Sequence, residues 1–182
     1  MGAQNKLIAD VGGTAMVRRT VDAVSASEAS PVLVVVGHMR REICAVLEGA
    51  PVTFVANPEF TSGLASSLKA GVRALTSDSD GVVVLLGDMP HIETSHVNRI
   101  IAAFRLADGT KIIVPTHKGQ RGNPVLWPAA HFGALLQLGG DSGAKSLLVQ
   151  HADQLQEIDL GTDAILRDID TPDALAQARR QR

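Results

Sequence analysis

The chain contains no tyrosine, one tryptophan and four phenylalanines among 182 residues. So few rings leave few platforms for stacking the bases of a single strand. Positive charge is not in excess either: 17 Lys and Arg stand against 19 Asp and Glu, a formal net charge of −2. The basic footprint of a duplex-binding protein is missing, so nucleic acid is not an expected partner. Cys44 is the single cysteine and cannot close an intrachain disulfide; flanked by apolar residues, it is expected to be a buried thiol. No apolar run approaches the ~20 residues needed to cross a bilayer. The opening Met1-Gly2-Ala3-Gln4-Asn5-Lys6 has no apolar signal-peptide core. A cytoplasmic protein with no membrane partner is expected.

Motifs are absent too. Neither G-x-x-x-x-G-K-[ST] nor G-x-G-x-x-G occurs, and there is no Gly-X-Ser-X-Gly elbow of the hydrolase type. The six histidines form no i,i+4 pair and no ligand cluster with Cys44, which argues against structural zinc.

What is present is material for one core. Hydrophobic residues make up 45% of a chain close to the ~150 residues of one domain, so residues 1–182 are read as a single domain. Near-continuous apolar runs, Val32 to Val36, Val52 to Ala56 and Val82 to Leu86, read as strands covered on both faces. Between them, Arg40 to Leu47, Leu64 to Leu75 and Thr94 to Leu106 carry apolar residues at helical spacing. Ile112 to Pro115 and Asn123 to Trp127 flank a polar excursion and suggest one antiparallel member. Phe132 to Leu138 and Ala144 to His151 read as helices, Leu155 to Leu160 is apolar, and Thr171-Pro172 caps an expected helix Asp173 to Arg179. The fold class is a three-layer, Rossmann-like α/β fold with a mostly parallel sheet and one antiparallel strand.

Four segments carry chemistry. Asp88 directly follows an apolar strand, at the sheet end where open α/β folds bind ligands. A carboxylate there suits Mg²⁺, although a simple turn aspartate before Met89-Pro90 fits equally. Asp168 and Asp170 flank Ile169 and project together from an extended segment, either completing a cation site or serving a helix start. Asn57 to Leu68 runs from a strand end into a helix, with Gly63 and the hydroxyls of Ser66 and Ser67 available to a ligand. Gly140-Asp141-Ser142-Gly143-Ala144-Lys145 opens another helix, with Lys145 available for an anion or solvated in a capping turn.

Taken in order, Gly2, Asn5-Lys6, Gly12-Gly13, Val34-Val35-Val36-Gly37-His38, Asn57-Pro58, Gly63 to Leu68, Gly87-Asp88-Met89-Pro90, Arg121-Gly122-Asn123-Pro124, Gly140 to Lys145 and Asp168 to Pro172 resemble the molybdenum cofactor nucleotidyltransferase family, cytidylyltransferase branch. The resemblance implies a nucleotidyltransferase of the nucleotide-diphospho-sugar-transferase type that moves CMP from CTP onto the terminal phosphate of molybdopterin, releasing pyrophosphate. It places Lys6 and Asp88 in catalysis. It implies nucleotide contacts at Gly2, Lys6, Asn57, Gly63, Ser66, Ser67 and Asp88, Mg²⁺ at Asp88, Asp168 and Asp170, and acceptor contacts at Asn123, Asp141 and Lys145. A molybdoenzyme or its chaperone is the implied protein partner. The family signature is a first strand ending in Leu-Ala-Ala-Gly-X-Ser-X-Arg-Met-Gly, of which only the tail Met1-Gly2 is present. The domain is therefore expected to lack its first strand and phosphate loop. Three alternatives stay open: GMP transfer with GTP, transfer to another phosphorylated alcohol, and a non-catalytic carrier of the pterin cofactor.

Overall fold

A computed structural model describes residues 5–140, 143–169 and 175–176. The chain enters through a 3₁₀ turn, Lys6–Ile8, whose first amides are capped by Asn5: its side chain accepts from the Leu7 amide at 3.0 Å. A tight hairpin follows, β1 (Asp10–Val11) antiparallel to β2 (Thr14–Ala15). Its turn residues Gly12 and Gly13 have φ of +66° and +89°, a left-handed pair that glycine adopts without steric cost.

Helix α1 (Met16–Ser25) buries Met16, Val17, Thr20 and Val21 on one stripe, and Arg18 bonds Asp22 one turn on at 2.8 Å. The elements expected from the sequence do not include it. Alternating elements follow: β3 (Leu33–Val36), α2 (Arg40–Val46), β4 (Thr53–Ala56), α3 (Leu64–Arg73), β5 (Gly81–Val84) and α4 (Thr94–Leu106). The second half comprises β6 (Ile112–His117), β7 (Gln120–Arg121), β8 (Val125–Pro128), α5 (Phe132–Leu136), α6 (Lys145–Gln150) and β9 (Leu155–Asp159).

Strand β3 pairs in parallel with β4, Leu33 opposite Thr53 through Val36 opposite Ala56. A second sheet has β8 inserted antiparallel between β5 and β6, with β9 parallel to β6 and the short β7 antiparallel to it. Strands β5, β6 and β9 therefore run one way, and β8 is the expected antiparallel member. Side chains alternate across this sheet as its pleat requires. Ile112, Val114, Val125 and Trp127 pack under α3, α5 and α6, whereas Ile113 and Leu126 pack with Val97, Ile100 and Phe104 of α4.

Two expectations are corrected. The runs around β3 and β5, expected to be covered on both faces, are mostly half-buried, in contrast to the fully buried β8. Among the described residues β3 pairs only with β4 and β5 only with β8, so each keeps an open edge. Cys44 is half-buried against the Val36, Ile43 and Leu47 cluster, because only one side of α2 meets the core. No helix among the described residues is long and apolar enough to cross a membrane. Thr171, Pro172 and most of the expected terminal helix lie outside the described residues.

Candidate active site

Asp88 stands four residues beyond the last residue of β5, on a loop held from several sides. Its backbone carbonyl accepts from the Ile169 amide at 3.0 Å. The Thr20 hydroxyl lies 3.3 Å from the Gly87 carbonyl, and Leu7 packs 3.4 Å from the point where a Cβ on Gly87 would sit. The same packing of the 3₁₀ turn delivers Lys6. Its Nζ donates to Asp88 Oδ2 at 2.7 Å, and the Asp88 side chain is only 14% exposed. The other oxygen, Oδ1, is buried with no hydrogen-bond partner among the described residues. A buried carboxylate oxygen left in that state is costly. One oxygen fixed by an ammonium and the other bare is an arrangement fitted to a cation or a phosphate-bound metal.

Asp168 is exposed and lies beside this loop through the bond of its neighbour Ile169, which is buried. Gly2, Asp141 and Asp170 lie outside the described residues. Among those described, no group of three or more His, Cys, Asp or Glu is gathered in ligand geometry. A site with one carboxylate at its centre remains compatible with Mg²⁺, which keeps several waters and relies on substrate phosphates.

The second group forms at the end of β4. Asn57, buried, donates from Nδ2 to Ser66 Oγ at 2.9 Å and Ser67 Oγ at 3.0 Å, and its Oδ1 accepts from the Glu59 amide at 3.0 Å. Ser66 donates in turn to the Gly63 carbonyl at 2.8 Å. These residues come together as expected, but they bond one another, so the two serines hold the 57–63 loop onto α3. Gly63 opens α3 with φ +96°, a conformation that L side chains rarely adopt. The Gly140 turn closes over this point: the Ala65 amide donates to the Gly140 carbonyl at 3.3 Å, and Leu64 lies 3.1 Å from the Cβ position of Gly143. Lys145, the first residue of α6, is exposed. The Asn123 amide donates to the Ile165 carbonyl at 2.9 Å, in the segment leading to Asp168.

Two features escape the sequence reading. Phe60 is 40% exposed with its ring 6.0 Å from that of His38, at the ends of β3 and β4. Its signal was an aromatic residue in a polar loop of a chain with few rings. A polar cleft of about 430 Å³ flanks the loop after Asp88, lined among others by Thr14, Arg19, Asp22, His91 and Glu93. Burial, aided by Arg167 and Arg19, holds His91 below the usual histidine range. Nothing in the local pattern announces the cleft, because it joins α1 to a loop seventy residues away.

Residues 1–155 match the family described as the MobA-like NTP transferase domain. The molybdenum cofactor cytidylyltransferase of Escherichia coli (strain K12) is 30% identical over 130 residues, 71% of this chain and 64% of that protein. The bifunctional protein GlmU of Streptomyces coelicolor is 29% identical over 153 residues, 83% of this chain. The chain spans only 30% of that longer protein. Among solved structures, the Rv0371c homologue from Mycobacterium sp. strain JC1 superposes with a TM-score of 0.85 at 26% identity, covering 98% of this chain and 90% of its own. Rv0371c of Mycobacterium tuberculosis H37Rv, solved as a manganese complex, gives 0.82 at 22% identity, covering 98% and 94%. The α/β fold is that of nucleotidyltransferases, and the chain belongs to the MobA-like NTP transferase domain family.

Proposed function

We propose that this nucleotidyltransferase moves CMP from CTP to the terminal phosphate of molybdopterin or its metallated form. The observation that carries the reading is the Lys6–Asp88 pair, with one carboxylate oxygen anchored at 2.7 Å and the other buried and unpartnered. The likeness to a molybdenum cofactor cytidylyltransferase supports the choice of acceptor and base.

An oxygen of the acceptor phosphate attacks the α-phosphorus of CTP. The bond from that phosphorus to the bridging oxygen breaks, and pyrophosphate leaves. A phosphate monoester with a second pKa of ~6 is already largely ionised at neutral pH, so the step needs no general base. Mg²⁺ held by Asp88, with Asp168 and Asp170 as the further ligands that the family resemblance implies, would supply charge neutralisation at the phosphates. Lys6 brings a fixed positive charge to the same point and stabilises negative charge in the transition state. Gly2 and the loop fixed by Asn57, Gly63, Ser66 and Ser67 form the nucleotide side. Asn123, Asp141 and Lys145 meet the acceptor, and the exposed Lys145 ammonium suits its phosphate.

Pyrophosphate release in Mg²⁺ buffer with molybdopterin and either CTP or GTP tests the reading. CTP is expected to be the better substrate, and Asp88→Ala is expected to lower turnover ~10²-fold or more, the scale of one lost electrostatic contact, at unchanged melting temperature. Equal or faster reaction with GTP overturns the cytidylyl assignment. Near-normal release by the Asp88 variant overturns the role of the carboxylate, and no release with either nucleotide leaves the carrier alternative in its place.

A further inference from the structure

Of the chain's four phenylalanines and one tryptophan, Phe54, Phe104, Phe132 and Trp127 pack in the hydrophobic clusters of the core. Phe60 alone is exposed, at 40%. Leu64, across Gly63 from it, is 47% exposed, so two of the four exposed large apolar side chains among the described residues share one short stretch. Scattered exposed apolar residues need no explanation. These two stand past the carboxyl end of β4, where open α/β sheets bind their ligands. The Phe60 ring is also fixed. A Cβ on Gly37 would lie 2.4 Å from the Phe60 Cβ and 2.8 Å from its Cγ, so the base of the side chain rests on the backbone just past β3. The Glu59 amide is tied to Asn57 Oδ1 at 3.0 Å, and the Ser62 amide closes the turn onto the Glu59 carbonyl at 2.9 Å. Next to Gly37 the chain turns at Met39 with φ +53°, a left-handed conformation that is strained for methionine and clusters at ligand sites. His38, held in that turn, brings its ring to 6.0 Å from Phe60, the two planes tilted by 44°. A ring held this firmly loses little freedom when another ring lies on it.

Gly37 follows Val36, which packs in one cluster with Leu7, and Leu7 in turn lies 3.4 Å from the Cβ position of Gly87, next to Asp88. Phe60 and the Lys6–Asp88 pair therefore flank one 3₁₀ turn, an arrangement suited to a substrate whose phosphate meets Lys6 and whose ring meets Phe60. We infer that Phe60, backed by Gly37 and flanked by His38, is the platform on which the flat nitrogen heterocycle of a phosphate-bearing substrate stacks. In the reaction proposed above, on which the inference rests, that heterocycle belongs to the nucleotide base or to the pterin. Stacking engages the flat face of a ring and not its hydrogen-bonding edge, so Phe60 adds affinity for the ring without choosing between cytosine and guanine.

The test uses Phe60→Trp as a reporter and Phe60→Ala as the deletion, both at an exposed side chain outside the core. Trp127, 1% exposed, supplies a constant background. Fluorescence of the Phe60→Trp protein is titrated in Mg²⁺ buffer with CTP, GTP, 6-hydroxymethylpterin monophosphate and inorganic triphosphate. Quenching by a ring-bearing ligand and none by inorganic triphosphate is expected. Quenching by a nucleotide assigns the platform to the base, and quenching by the pterin alone assigns it to the acceptor. In calorimetry Phe60→Ala is expected to bind that same ligand about 5- to 150-fold more weakly, the scale of one stacked base, and inorganic triphosphate as the parent does. Phe60→Tyr, which keeps the ring, is expected to bind like the parent. Equal affinity of Phe60→Ala and parent for nucleotides and pterin overturns the inference and leaves the phosphate side of the site standing. An equal loss for inorganic triphosphate also overturns it, because the ring then only props the loop. A parent that binds none of the four overturns the platform and the proposed function together. A Phe60→Ala variant altered only in its mass in solution assigns the ring to a second copy and overturns the platform.

Discussion

Asn57 engages its whole side chain inside the protein, donating to Ser66 and Ser67 and accepting from the Glu59 amide. At 4% exposure it has no water to replace those partners. Asn57→Ala is expected to cost ~1–3 kcal/mol, the range for leaving buried polar groups unsatisfied, read as a lower urea midpoint at unchanged slope. A midpoint equal to the parent's would show that the 57–63 loop is held by something else. The residue types at this point were legible in the sequence, and their partners were not: an asparagine and two serines advertise hydrogen bonds without saying to whom. Asp88 stood out in the sequence as a carboxylate directly after an apolar strand, a position that suited a turn aspartate as well as a metal ligand. Its ion pair with Lys6, 82 residues away, was not expected: the family resemblance implied a catalytic role for each residue without joining them. The bare Oδ1 is a property of burial and becomes visible only with coordinates.

Between β7 and β8, Gly122 passes so close to the 3₁₀ turn Asp163–Leu166 that a Cβ would lie 2.3 Å from the Ile165 carbonyl oxygen. Backbone cannot yield there cheaply, so Gly122→Ala is expected to destabilise by ~1–3 kcal/mol, as overpacking does. The strain should travel along the chain to Ile169 and loosen its bond to Asp88, so that turnover falls further than stability alone explains. Thermal unfolding and pyrophosphate release on the same variant check this, and a variant as stable and active as the parent would contradict it. The elements with strong period, α3, α4, β6 and β8, lie within a few residues of their expected ranges. Helix α1 was missed because Val17, Thr20, Val21 and Val24 are β-branched and fit a strand as well as a helix. The insertion of β8 between β5 and β6 was equally hidden, since local pattern says that a strand exists but not which neighbour it chooses.

Across the whole molecule, His91, His96 and His131 are all held below the usual histidine range, each chiefly by burial. Arg167 and Arg19 add to the effect at His91, Arg99 at His96 and His151 at His131. In the unfolded chain these rings take up protons near the ordinary value of 6.5. The folded protein resists until the pH is lower, so the unfolded state binds more protons in that window and stability decreases as the pH is lowered through it. The urea midpoint is expected to be level above about pH 7.5 and to decline as the pH drops through about 6.5. His131→Gln should flatten part of that decline, and a midpoint that rises on acidification would contradict the assignment. The bond from the Ile169 amide to the Asp88 carbonyl ties the assembly together in time as well as in space. A ribosome adding ~5–20 residues per second, having already delivered Lys6, delivers Asp88 on the order of ten seconds before Ile169. Through that interval the nascent chain holds its lysine and carboxylate without the strap that fixes the loop. An aborted translation product that stops short of Ile169 therefore carries the two charged groups of the site but not the frame that sets them.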